Sequence, residues 1–167
     1  REMFRELVPK AEGLNISLAL PCVFGSPFGD KIDMGLVKDI IEEAFDLGIK
    51  EIGLADTAGV STPAHTREVL QNIKTYLDPS LTSIHLHDTR GMGLANAYVA
   101  LEEGYASLDA SLGGMGGCPF VPGAKGNIAT EDLVNMCESM GIETGYNLDM
   151  VCKDALEMGD EIEVYED

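Results

Sequence analysis

Four times along the chain a short segment of strand character is followed by a loop and then by an amphipathic stretch of helical period, and this repetition restricts the fold more than anything else in the sequence. The strand candidates are residues 15–22, 51–56, 83–88 and 106–112. The helices that follow them are expected over 34–47, 64–77, 93–103 and from Thr130 onward. A helix over residues 1–11, ended by Gly13, precedes the first strand, and another is expected over 147–158. Thr130, Glu131 and Asp132 put a capping hydroxyl and two acids at the start of their helix. Strands alternating with helices call for a parallel sheet with right-handed crossovers. Eight such units close a TIM (β/α)8 barrel of about 250 residues, so four make half of one. An open doubly wound sheet shares the alternation and is the structural competitor.

The placement of polar residues favours the barrel. Asp56, His85, His87, Asp88, Arg90, Cys118 and Asn127 all fall at the C-terminal end of a strand candidate or in the loop after it, where barrel active sites lie. In a strand, residues i and i+2 share a face, so His85 and His87 project together into the barrel mouth while Leu86 turns outward. Two adjacent imidazoles suit one metal ion, although such a pair in a strand also occurs without function. The chain has three histidines, and His65, at a helix start, reads as a solvated surface residue.

Cys118 lies in Gly113-Gly-Met-Gly-Gly-Cys-Pro-Phe-Val-Pro-Gly-Ala-Lys-Gly-Asn127, a loop too rich in glycine for packing duty. A thiol there suits a gated acid or base, against the plainer reading of a small apolar side chain. Cys22, Cys137 and Cys152 fit that plainer reading. Asn127 is either a turn residue or an amide-oxygen ligand for a hard divalent ion. Asp56, in Leu-Ala-Asp-Thr-Ala-Gly, is either a loop-bracing acceptor or a substrate contact. Arg90 and Lys125 are the nearest cations for a phosphate or carboxylate, with Lys125 equally readable as a solvated charge.

The formal net charge of -18 argues against nucleic acid and anionic membrane partners, which are bound by clustered Lys and Arg. No apolar run reaches the roughly 20 residues that span a bilayer. Four cysteines without a CxxC pair or a secretory signal imply a reduced, cytoplasmic protein. Because the chain opens at Arg1 inside an expected helix, the N-terminal half of the barrel is expected to be absent.

The runs His85-Leu-His-Asp-Thr-Arg-Gly91, Gly113-Gly-Met-Gly-Gly-Cys-Pro-Phe120 and Gly126-Asn-Ile-Ala-Thr-Glu-Asp-Leu133 together closely resemble the 3-hydroxy-3-methylglutaryl-CoA lyase family of metallolyase barrels. The resemblance runs from about residue 15 to residue 150. The Gly-Cys-Pro loop separates this family from isopropylmalate and homocitrate synthases, which resemble only the histidine strand. The resemblance implies that residues 1–167 are the C-terminal half of a catalytic barrel domain. It also implies that His85, His87 and Asn127 bind Mg2+ or Mn2+ and that Cys118 and Asp56 serve catalysis; Asp88, Arg90 and Lys125 are the candidate contacts for an acyl-CoA substrate. The implied reaction is cleavage of 3-hydroxy-3-methylglutaryl-CoA to acetyl-CoA and acetoacetate. The family's first-strand Asp-Arg-Glu type run does not occur here, so the chain alone is expected to be inactive or nearly so. Open sheet edges and an apolar inner face would favour a homo-oligomer. Two other functions fit the same residues: a related condensing synthase or 4-hydroxy-2-oxoacid aldolase, and a non-catalytic scaffold that binds a CoA-type ligand or partner.

Overall fold

The computed structural model describes residues 2–11, 13–117, 121, 123 and 125–163, with backbone alone for 160–163. Strands β1 (Ser17–Leu20), β2 (Glu51–Asp56), β3 (Thr82–Leu86) and β4 (Ser107–Asp109) form one parallel sheet in the order β1-β2-β3-β4. The helices are α1 (Glu2–Leu7), α2 (Met34–Asp46), α3 (Pro63–Ile73), α4 (Gly93–Glu102), α5 (Thr130–Ser139) and α6 (Leu148–Glu163). A doubly wound sheet reverses its strand order at a switch point. Sequential order with no reversal is that of a barrel half.

Local chemistry sets the helix starts. Asp33 caps α2 by accepting from the Gly35 and Leu36 amides at 2.9 and 3.2 Å. Thr62 accepts from His65 N at the start of α3, with Pro63 in the first turn. The expected cap at Thr130 is not found: Thr130 is itself the first helical residue, Ala129 stands at the N-cap, and no side chain caps the end. β1 and β4 are shorter than expected. Pro21, which has no N–H to donate, follows β1, and after Asp109 the chain leaves the ladder, with Ser111 bridging to Ala129 instead.

Ile52 and Leu54 of β2 and Ile84 and Leu86 of β3 are fully buried, in one apolar cluster with Ile41 and Ala44 of α2, Leu70 and Ile73 of α3, and Ala97 and Ala100 of α4. The alternate residues face the other way and carry small or polar side chains: Ser17 and Ala19, Gly53 and Ala55, Ser83 and His85, Ser107 and Asp109. They line an open trough of about 480 Å³. The expected apolar inner face is therefore corrected: only the helix-facing set of this alternation is apolar. The unpaired edges of β1 and β4 remain open to association. Among the described residues no helix is long and apolar enough to cross a membrane.

Tyr105, fully buried, donates from its hydroxyl to the Leu70 carbonyl at 3.0 Å. Burial first, then Tyr76 and Glu103, push its pKa up to about 12. In the unfolded chain the same phenol ionises near 10, so proton loss favours unfolding and stability falls as pH rises from about 10 through 12. Tyr105→Phe is expected to cost about 1 kcal/mol at neutral pH and to flatten that alkaline loss, as measured by urea unfolding at neutral and alkaline pH.

Candidate metal and active site

His85 sits at the inward face of β3, and His87 follows directly beyond the strand. Their Nε2 atoms are 3.2 Å apart. Two nitrogens held about 2.1 Å from one ion at a right angle lie about 3 Å apart, so the pair already has the spacing of adjacent ligands. His87 is buried, and burial, then the neighbouring His85, hold its pKa below the usual imidazole value, with Thr57, Asp56 and Asn127 opposing. The neutral ring thereby favoured is the form that ligates metal. The Thr57 backbone lies close to His87, but outside hydrogen-bond geometry for Nδ1, which is left without a partner.

The third donor arrives from the far arm of the glycine-rich loop. Gly126, Asn127 and Ile128 run back beside the end of β3: Asp88 N donates to the Gly126 carbonyl at 3.0 Å and Ile128 N to the Leu86 carbonyl at 3.2 Å. His87 and Asn127 form an antiparallel bridge. The Asn127 amide is oriented by its own bond, Nδ2 donating to the Met115 carbonyl at 2.8 Å. Its Oδ1 is buried and has no hydrogen-bond partner. A buried acceptor without a well-formed hydrogen bond costs about 1–3 kcal/mol; the adjacent His87 ring, whose proton Asn127 favours, is one partner for it, and a cation held between the two is another. Among the described residues no three His, Cys, Asp or Glu side chains form a metal site; the polar group beside the two imidazoles is the Asn127 amide.

Asp56 is fully buried, and its two carboxylate oxygens accept from Val60 N at 3.2 Å and Ser61 N at 3.0 Å. It therefore braces the loop after β2. Desolvation raises its pKa despite these bonds. Asp88 Oδ1 accepts from Gly93 N at 2.7 Å and so secures the start of α4. Asp88, Lys125 and Asn127 line one cavity of about 350 Å³. Arg90 is exposed on the turn after β3. Cys118 lies outside the described residues. His65 is half exposed and 3.9 Å from Glu68, a surface residue as expected.

Two contributors to the site were absent from the sequence reading. Asp109, at the end of β4, places Oδ2 3.4 Å from His85 Nδ1. In the sequence it stood in the middle of the expected strand 106–112, and only the shorter β4 and its register with β3 bring it to His85. Cys22, read as a plain apolar residue, adopts φ 59° just beyond β1, the one described non-glycine residue with positive φ, and its amide donates to Thr57 Oγ1 at 3.0 Å. No motif marks that strained turn.

Fold and site together define a (β/α)8-barrel chain with its donor cluster at the C-terminal strand ends. The HMGL-like family model matches residues 1–156, and the chain belongs to the HMGL-like family. It is 40% identical over 149 residues to a mitochondrial hydroxymethylglutaryl-CoA lyase of Macaca fascicularis, covering 88% of this chain and 46% of that protein. It is 42% identical over 139 residues to the (R)-citramalyl-CoA lyase of Chloroflexus aurantiacus, covering 83% and 44%. Among solved structures, the A. baumannii HMG-CoA lyase in complex with coenzyme A and 3-methylmalate superposes with TM-score 0.86 at 42% identity, covering 91% of this chain and 50% of that one. The chain thus spans about half the length of these relatives.

A Cβ added at Gly126 would run into the carbonyl oxygens of Gly114 and Gly116. Because both obstacles are backbone, Gly126→Ala must shift the loop base and carry Asn127 with it. The expected cost is about 1–3 kcal/mol of stability, read by thermal unfolding, with weaker divalent-ion binding in the same variant.

Proposed function

We propose that the chain is the C-terminal half of the catalytic barrel of a divalent-metal-dependent carbon-carbon lyase that cleaves 3-hydroxy-3-methylglutaryl-CoA to acetyl-CoA and acetoacetate. The observation that carries this reading is the donor set: two imidazole nitrogens 3.2 Å apart beside the buried, open Oδ1 of Asn127. Support for the substrate comes from relatives named as hydroxymethylglutaryl-CoA lyases and from a neighbour solved with coenzyme A. The chain also matches a lyase of (R)-citramalyl-CoA, so that thioester is the second substrate to compare.

His85, His87 and Asn127 would hold Mg2+ or Mn2+, and nitrogen and oxygen donors suit both ions. A bound divalent cation supplies Lewis acidity, which lowers the pKa of a coordinated hydroxyl. The chemistry then needs a base for the C3 hydroxyl proton. As that proton leaves, the C3–O bond becomes a carbonyl and the C2–C3 pair passes to the thioester as an acetyl-CoA enolate. Asp56, whose burial raises its proton affinity but whose oxygens are engaged by the Val60 and Ser61 amides, and a histidine of the pair are the two candidates for that base. Cys118 is assigned the return of a proton to C2. Arg90 and Lys125 are assigned the anionic groups of the thioester, and Asp88 the placement of the loop beside them. Closing the barrel needs four further βα units, which would pair along the open edges of β1 and β4.

Calorimetric titration of the chain with Mn2+ is expected to show one site, weakened at least about tenfold in His87→Ala and in Asn127→Ala. Protonation of either imidazole removes a ligand, so affinity falls with falling pH. Since the pKa of His87 lies below the ordinary 6.5, its protonation is expected to weaken binding only below that pH. With the other four βα units supplied, release of acetoacetate from 3-hydroxy-3-methylglutaryl-CoA, faster than consumption of (R)-citramalyl-CoA, is the expected outcome. The 167-residue chain alone is expected to bind the ion without measurable turnover. Metal binding that survives loss of both histidines would sink the assignment.

A further inference from the structure

Asp109 is the last residue of β4 and the register partner of His85 on β3. Side chains of register partners on parallel strands share a face, so the inward turn of His85 is enough to set the carboxylate beside it. Oδ2 of Asp109 lies 3.4 Å from Nδ1 of His85. On the other flank the register partner is Ala55, which offers no polar side-chain group. The ring nitrogen at the opposite corner of His85, Nε2, is the one that faces Nε2 of His87.

A neutral imidazole carries one N–H and one lone pair, and the hydrogen bond made at one nitrogen decides where the proton sits. A carboxylate at Nδ1 favours the proton there and leaves the lone pair on Nε2, which is also the arrangement of carboxylate–histidine–metal triads. At 3.4 Å the two atoms make an ionic contact outside hydrogen-bond geometry, so in the metal-free chain the carboxylate acts on the ring through its charge. We propose that Asp109 is a positioning residue for the candidate metal centre. It holds His85 as the Nδ1–H tautomer, with the Nε2 lone pair turned toward His87. The role rests on the metal reading given above. Asp109 is not itself assigned as a ligand, because it approaches the corner of the His85 ring away from the paired nitrogens.

The test combines a tautomer measurement on the metal-free chain with a binding measurement. Long-range 1H–15N correlation on labelled protein at mildly alkaline pH resolves the imidazoles, and with three histidines in the chain His85→Ala assigns the signal. His85 is expected as the Nδ1–H tautomer in the unsubstituted protein, shifted toward Nε2–H in Asp109→Asn and restored in part in Asp109→Glu. Calorimetry with Mn2+ is expected to show affinity about tenfold or more weaker in Asp109→Asn, with partial recovery in Asp109→Glu. About half of the Asp109 side chain is exposed, so these variants are expected to keep the fold, as circular dichroism would verify. An Nε2–H tautomer at His85 in the unsubstituted chain overturns the proposal. So does Asp109→Asn binding Mn2+ within about twofold of the unsubstituted chain, the metal reading being left intact in that case. Failure of the unsubstituted chain to bind Mn2+ overturns the metal reading and the role of Asp109 together.

Discussion

Packing of Ile52, Leu54, Ile84 and Leu86 beneath the helices decides what every other strand residue can do. Successive strand side chains alternate faces, so once these four are committed outward, Gly53, Ala55, Ser83 and His85 must face inward. A slip of one residue in β3 would put His85 among the helices, and a slip in either strand would leave a large apolar side chain in the trough. The parallel register, with Ala55, His85 and Asp109 as consecutive partners, then lines up the site across three strands. The outer core thus holds the inner face in place, although the inner face contributes little burial of its own.

The remaining donor depends on a different constraint, the close approach of two backbone arms. Gly126 sits against the Gly114 and Gly116 carbonyls, which lets Asn127 N reach the Gly116 carbonyl at 3.2 Å while its side-chain Nδ2 reaches Met115. The backbone amide and one Nδ2 hydrogen of Asn127 are used on the near arm of the loop, which fixes the side-chain amide beside His87. The stem of the glycine-rich loop and the donor set are therefore one piece of structure. Displacing the stem would turn the amide.

The fold was legible because its signal is periodic. Segments such as Glu51-Ile-Gly-Leu-Ala-Asp56 alternate, and the helices between them repeat at helical spacing, so strand positions β2 and β3 and helix α2 were placed nearly to the residue. The same alternation leaves the inner face with small and polar side chains rather than the apolar surface expected of an opened barrel. His85 and His87 were legible because i and i+2 geometry is local. The pairing of His85 with Asp109 was not, since it depends on a register between strands separated by α4. Asp56 shows the limit from the other side. Its position was correct, but the Val60 and Ser61 amides that occupy its carboxylate come from a loop whose path no spacing rule gives.

Charge sets a last condition on any anionic substrate. With a formal net charge of -18, the chain repels anions at long range, and Asp56, Asp88 and Asp109 add negative groups around the candidate centre itself. Several of its cations are already engaged: Arg67 with Glu102 and Glu103, Arg5 with Glu43, and Lys74 with the Glu103 carbonyl. Arg90 and Lys125, at the same end of the sheet as the histidines, make no ion pair among the described residues. Two surface cations in that field are a weak counterweight, since exposed pairs are worth about 0–1 kcal/mol each. A divalent ion held by three neutral donors would bring its full charge to the mouth without any offset from its ligands. On the proposed reading, the neutrality of His85, His87 and Asn127 as a set would let an acidic chain accept an anionic thioester.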